Sequence, residues 1–176
     1  MGKELFHTIE KRMPICASVK NAPYKCTNRA WLGAGYYFWD TFIELAHWWG
    51  ETHYHKNYII TKTNCWLAEK EVFDLVGNTD HMRTFTDYGR LLENKKDSSV
   101  TVPMVIEHMK KHTSFLSQYK AIRAKGEMSI SQNSQYTYRL NFTNNVYKRQ
   151  YLDVLPPIQY CVFEKSHIPQ LDIVDN

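Results

Sequence analysis

Eight aromatic side chains crowd the stretch WLGAGYYFWDTFIELAHWWG, Trp31 to Gly50, around a Gly33-x-Gly35 pair. Rings at this density either fill a core or stack on a flat or cationic ligand in a pocket. The Gly-x-Gly raises a dinucleotide fingerprint. However, the third glycine of G-x-G-x-x-G would fall on Phe38, and no parallel βαβ pattern surrounds it, so a Rossmann site is excluded. His47, His53 and His55 with Cys65 have the chemistry of metal ligands, yet H-x-H after a helix end is more often solvated surface. No metal is therefore expected. No Ser or Cys stands in a nucleophile elbow.

The elements that must position these residues follow from period and punctuation. TFIE is a capping box, with Thr41 as N-cap and Glu44 reaching back. Phe42, Leu45, Ala46 and Trp49 then recur at i, i+3, i+4 and i+7, and Gly50 stands where a C-cap glycine belongs, which predicts a short helix over 41–49. The aromatic run GYYFW before it reads as a strand, as do ELFHTI, NYIITKTNCW, IQYCVF after the Pro156-Pro157 pair, and QLDIV. Residues 14–29 read as loop with a short helix. TDHMRTFTDYGRLLEN and VPMVIEHMKKHTSFLSQYKAIRAK read as helices, the second amphipathic through Val105, Ile106 and Met109. After Gly126 the composition turns to Ser, Asn, Gln and Tyr, a surface loop or irregular hairpin. Helices in the first two thirds with strands at both ends predict an α+β fold.

At 176 residues, with no repeat or linker dividing it, the chain is expected to form a single domain over 1–176. Aromatic residues at 14% exceed what a core requires and favour a ring-lined pocket. The balance of 22 basic against 18 acidic residues permits a polyanionic partner without a concentrated basic arm. Cys16, Cys26, Cys65 and Cys161 form no C-x-x-C pair, and charged residues stand where a signal peptide needs an apolar run. A cytoplasmic protein with reduced thiols is expected, with no membrane span.

The order of these parts resembles the ADP-ribosyltransferase superfamily, and more narrowly its His-Tyr-Glu branch, which holds the poly(ADP-ribose) polymerases and many bacterial toxins. That branch carries a histidine in an early strand (H-G-[ST]), then G-x-G-[IV]-Y-F, a helix, and a closing strand E-Y-[VIC]-V-[YF]. Here FHT supplies His7, GAGYYFWD supplies Tyr37, LAHWW the helix and QYCVFEKSHI the closing strand. The middle of the chain, about 60 to 150, has no counterpart. The resemblance implies split, mostly antiparallel sheets around an NAD cleft with flanking helices. It also implies that His7 bonds a ribose hydroxyl of NAD, and that Tyr37 and Trp48 sandwich nicotinamide. His7, Thr8, Gly35, Tyr37 and Trp48 would bind the dinucleotide, with Gly33 and Gly35 turning tightly beneath it.

Two departures stand out. Thr8 replaces the glycine after the histidine, and Gln159 occupies the place of the catalytic glutamate. His7, Tyr37 and Gln159 are thus the catalytic set that the resemblance implies. A neutral amide keeps a hydrogen bond but loses the charge that stabilises a cationic ribose. Three accounts compete: Gln159 is native to a slow or noncatalytic branch, it is a Glu-to-Gln replacement introduced to silence a toxin, or Glu164 or Asp153 acts instead.

The activity implied is NAD-dependent transfer of ADP-ribose to a macromolecule by an intracellular toxin or phage-defence effector that an antitoxin protein would mask. RNA or single-stranded DNA is favoured over protein as acceptor, because residues 123–151 mix Arg, Lys, Tyr and Asn near the closing strand. The alternative is a noncatalytic module of the same fold that binds NAD, ADP-ribose or nucleic acid.

Overall fold

The computed structural model describes residues 3–27, 29–95, 99–126, 135–144 and 150–175. The elements in chain order are β1 (Glu4–Glu10), α1 (Ile15–Lys20), β2 (Tyr36–Asp40), α2 (Ile43–Tyr54), β3 (Tyr58–Asn64), β4 (Val72–Asp74), α3 (Thr79–Glu93), α4 (Val102–His112), α5 (Phe115–Gln118), β5 (Ala121–Lys125), β6 (Arg139–Asn141), β7 (Tyr151–Asp153), β8 (Ile158–Val162) and β9 (Asp172–Asp175). Seven strands form a sheet in the order β4-β5-β8-β2-β1-β3-β9, with only β4 and β5 parallel, and β6 and β7 form a separate hairpin. The architecture is mixed α+β with a mostly antiparallel sheet.

The sheet is continuous but nearly divided. β1 and β3 pair along seven residues, from Glu4↔Asn64 to Glu10↔Tyr58. By contrast, β1 meets β2 only through Leu5↔Asp40 and Phe6↔Trp39. Beyond Phe6 the two strands part. Where two separate small sheets were expected, a two-residue junction joins the halves and a gap opens past it.

Burial explains why the strands sit where they do. Leu5, Phe38, Tyr160, Val162, Val72 and Ala121 pack on one face. On the other, Phe6, Trp39, Leu45, Ala46 and Ile60 lock α2 over the junction, and Leu32, Val105, Ile106, Met109, Ile122 and Cys161 seat α4 on β5 and β8. Side chains alternate between faces with the strand period of two, so the even and odd residues of β2 serve different layers.

Several helix boundaries differ from expectation. Thr41 does not cap α2: its φ is 68°, its hydroxyl donates to Asp40 Oδ1 (2.8 Å), and Phe42 stands at the N-cap without a side-chain bond. The capping box fails because the buried carboxylate of Asp40 claims the threonine. Nor does Gly50 end the helix, which runs on to Tyr54 and closes at His55 with φ 49°. Gly50 is needed for another reason, since a Cβ there would collide with the Tyr58 ring. The helix expected over 102–125 breaks after His112, where Thr113 Oγ1 donates to the Met109 carbonyl (2.7 Å), and AIRAK becomes the inner strand β5 between β4 and β8. Of the stretch expected as a loop after Gly126, residues 127–134 and 145–149 lie outside the described residues. The rest includes the β6–β7 hairpin.

Candidate functional site

The parting of β1 from β2 is where sequence and geometry converge. A cavity of about 430 Å³ opens there, within the range of small-molecule sites. Its walls are His7, Thr8 and Ile9 of β1, Tyr37 and Trp39 of β2, Gln159 of β8, and Trp49 and Tyr54 of α2. Tyr24, Lys25, Cys26, Ala30 and Trp31 complete it from the loop between α1 and β2. That loop is pinned across the cavity by a backbone bridge in which Cys26 N–H donates to Gly35 O (2.8 Å) and Gly35 N–H to Cys26 O (3.3 Å).

His7 fills the place where strand pairing stops. Its Nδ1 lies 2.8 Å from the Tyr37 carbonyl. A carbonyl can only accept, so Nδ1 carries the proton and Nε2 presents a bare lone pair. Nε2 is buried and has no hydrogen-bond partner among the described residues. Such an atom costs free energy unless something bonds it, and His7 is the residue among those with a partnerless buried atom that lines this cavity. Thr8 turns the other way and ties β1 to α2 by donating to the Ala46 carbonyl (2.9 Å).

Burial lowers the His7 pKa from 6.5 to about 4, against the opposing pull of its bond to Tyr37. The folded state therefore binds this proton less tightly than the unfolded state. Above pH 6.5 the ring is neutral in both and stability is complete. Between pH 6.5 and 4 the unfolded state gains a proton that the folded state refuses, which removes about 1.4 kcal/mol per pH unit, about 3 kcal/mol in all. Replacing His7 by Gln is expected to abolish this part of the acid destabilisation. Urea unfolding of both proteins at pH 7, 5.5 and 4.5 checks it, and parallel losses in the two would refute it.

Tyr37 is a fixed wall. Its hydroxyl donates to the Gly33 carbonyl (2.8 Å) and accepts from Leu32 N–H (3.0 Å), and burial pushes its pKa well above the ordinary tyrosine value. Gly33 has φ +83°, which a side chain would strain, so the glycine allows the turn that receives this hydroxyl. Gly35 does not line the cavity. It packs behind it, where a Cβ would strike Cys161 Sγ and lie 2.9 Å from the Val162 carbonyl oxygen. Gln159 is 8% exposed, and its Oε1 accepts from Trp31 Nε1–H (2.8 Å).

The residues thus divide. His7, Thr8, Tyr37 and Gln159 come together in one cavity, while Trp48 stands outside the lining. It packs edge-on against Trp39 (centroids 6.3 Å apart, 84°), and the next residue, Trp49, faces the cavity and stacks on His53 (3.5 Å, 14°). The buried stripe of α2 is Leu45, Ala46 and Gly50, and this phase turns Trp49, not Trp48, towards the parting. Compared with known proteins, the chain matches no family model, no curated protein and no solved structure.

Among the described residues, no three His, Cys, Asp or Glu side chains gather as metal ligands, and no helix is long and apolar enough to cross a membrane. Neither carboxylate considered as a stand-in for Gln159 lines the cavity. Asp153 sits on the hairpin beside Arg139 (3.6 Å) and Lys125 (3.9 Å), and Glu164 is exposed beyond the end of β8, 3.9 Å from His167. Sequence reasoning missed Tyr24, Lys25 and Cys26, which lie in a stretch without period. Trp31 carried a signal, as a tryptophan two residues before the Gly-x-Gly.

Proposed function

We propose that the cleft binds NAD and that the protein is an ADP-ribosyltransferase-like enzyme of the His-Tyr-Glu type, releasing nicotinamide and passing ADP-ribose to a macromolecule. The observation that carries this reading is the partnerless Nε2 of His7 in the wall of a ring-lined cavity, with Gln159 on the far side of β2. A ribose hydroxyl is a donor that would satisfy the lone pair. Six lining side chains are Tyr or Trp, and such faces suit both the planar adenine and the cationic nicotinamide. The cleft opens beside a two-residue junction in a continuous sheet, where the resemblance implies two separate sheets, so the sheet supports this reading only through the gap past Phe6.

The acceptor reading favours nucleic acid. Tyr138 and Phe142 are exposed at 57% and 67% on the hairpin that precedes β8, and Arg139 lies over the Tyr151 ring at 4.8 Å. Exposed rings beside cations stack on unpaired bases. A toxin or phage-defence role in the cytoplasm, restrained by an antitoxin that covers the cleft, fits this chemistry.

A second reading, a noncatalytic module that holds NAD or ADP-ribose, is favoured by one observation: the amide oxygen of Gln159 is already engaged by Trp31. Incubation with labelled NAD and separate pools of RNA, single-stranded DNA and cell protein separates the two. Slow nicotinamide release with label on one pool supports the transferase, and binding without turnover supports the module. In either case His7→Ala is expected to weaken NAD binding about ten-fold, the value of one buried hydrogen bond with its packing. Calorimetry that finds neither NAD nor ADP-ribose binding by the parent protein would remove both readings.

A further inference from the structure

As the Tyr37 carbonyl sets the tautomer of His7, so Trp31 fixes what Gln159 can offer the cavity. Its Nε1–H lies 2.8 Å from Gln159 Oε1. An indole N–H donates and never accepts, so the atom facing it must be the amide oxygen, and the orientation of this carboxamide follows from chemistry. The NH₂ end has no hydrogen-bond partner among the described residues and is left for the cavity. Trp31 is itself held in place: Gly126 packs on its benzo ring, where a Cβ would lie 3.3 to 3.6 Å from the ring carbons.

We propose that Trp31 is a positioning residue that turns the Gln159 amide donor-outward, so that the cleft recognises its ligand by one acceptor and one donor. His7 Nε2 takes a ligand hydroxyl, and Gln159 Nε2 gives to a ligand oxygen. β2 lies between β1 and β8, and β1 has already parted from β2 at His7, so the two strands stand at least two strand spacings apart there, about 10 Å or more along the sheet. A lone sugar or a lone nicotinamide cannot touch both. The ligand is a long one with a hydroxyl near one end and an acceptor oxygen near the other, as in a dinucleotide with two riboses. The inference rests on the NAD reading for its ligand and on the Trp31 contact alone for its geometry.

A carboxylate at 159 would behave differently. One of its oxygens would keep the Trp31 N–H and the other would face the ligand as an acceptor. The same tryptophan would then present a group of opposite polarity, and a hydroxyl of the ligand would donate to it.

The test is a pair of measurements on the intact protein. First, the indole ¹⁵N–¹H resonance of Trp31 is followed in the parent, in Gln159→Glu and in Gln159→Leu. Slow exchange in the parent, retained with Glu and lost with Leu, is expected, and a resonance indifferent to residue 159 would overturn the proposal. Second, NAD affinity is measured for Trp31→Phe, Gln159→Leu and the double variant. Each single change is expected to weaken binding about three- to ten-fold, and the double change no further, because both remove the same outward donor. Losses that multiply, or a Trp31→Phe protein that binds as the parent does, would overturn it. A parent that shows the indole signature but binds no NAD supports the positioning role and sinks the NAD reading, so the two failures are told apart. Nicotinamide and ribose, titrated separately, are expected to bind at least 100-fold more weakly than NAD, and equal affinity would overturn the two-point recognition.

Discussion

Gln159→Glu is expected to raise the rate of nicotinamide release from NAD by about 10²- to 10³-fold. As nicotinamide leaves with the electron pair of its bond to C1′, positive charge builds on the ribose, and an amide cannot offset it. A carboxylate held by Trp31 can, because its outward oxygen would sit where the amide NH₂ now stands. The gain should belong to turnover, not to affinity, since the charge it answers exists only in the transition state. It should also depend on pH in a defined sense. Gln159 is 8% exposed in a cavity walled by rings, so desolvation would raise the new carboxyl's pKa above the ordinary value near 4.3. Activity of the variant should therefore climb with pH through a midpoint above that value. Single-turnover assays of both proteins from pH 4.5 to 8 read out rate and midpoint together. An unchanged rate with NAD still bound would mean that the cleft does not bring the nicotinamide ribose to residue 159, and the noncatalytic module would stand.

How far the site is legible from sequence depends on what sets each residue's direction. His7, Tyr37 and Gln159 lie in β1, β2 and β8; the period of two puts Tyr37 and Gln159 on the face of Trp39 and His7 on the other, and the three reach the same cavity because β1 parts from β2 after Phe6. Trp48 and Trp49 lie on a helix, where one residue turns a side chain by about 100°; the spacing of Phe42, Leu45, Ala46 and Trp49 already turns Trp49 inward, and only the resemblance names Trp48. The signal that misplaced α2 was local: Thr41 and Glu44 fit a capping box until Asp40, fixed by residues far along the chain, claims the threonine hydroxyl. β5 is illegible for the same reason. AIRAK favours helix by composition, but its partners are Val72–Asp74 on one side and Ile158–Val162 on the other, and their hydrogen bonds outweigh its propensity. Tyr24, Lys25, Cys26, Ala30 and Trp31 lie in a stretch without period, and long-range contacts, the bridge from Cys26 to Gly35 and the bond from Trp31 to Gln159, place them over the cleft.

The junction that creates the cleft has its own weak point, and Asp40→Ala is expected to cost about 3–5 kcal/mol of stability. Asp40 is the last residue of β2, paired with Leu5, and its residue is 2% exposed. Its carboxylate accepts from Arg123 Nε (2.7 Å), from Thr41 Oγ1 (2.8 Å) and from Lys3 Nζ (3.5 Å). Arg123, whose side chain is 15% exposed, also reaches Asp74 (3.1 Å). Removing one partner of a buried pair leaves the other charge desolvated, which is where most of the cost arises. Asp74 cannot absorb it fully, because one of its oxygens also holds Val76 N–H (2.8 Å). Asp40→Leu combined with Arg123→Met removes both charges at similar volume and should recover at least half of the loss, since an apolar pair costs no desolvation. Asp40 also anchors Thr41, whose backbone N–H donates to the Glu4 carbonyl (2.9 Å), so its loss loosens the β1–β2 junction itself. Urea unfolding gives the free energies, and NAD titration of the double variant asks whether the junction, once repacked without charge, still holds His7 and Gln159 at the distance the ligand requires. A double variant less stable than Asp40→Ala would show that Asp40 acts through Thr41 and the strand junction, not through its pairing with Arg123.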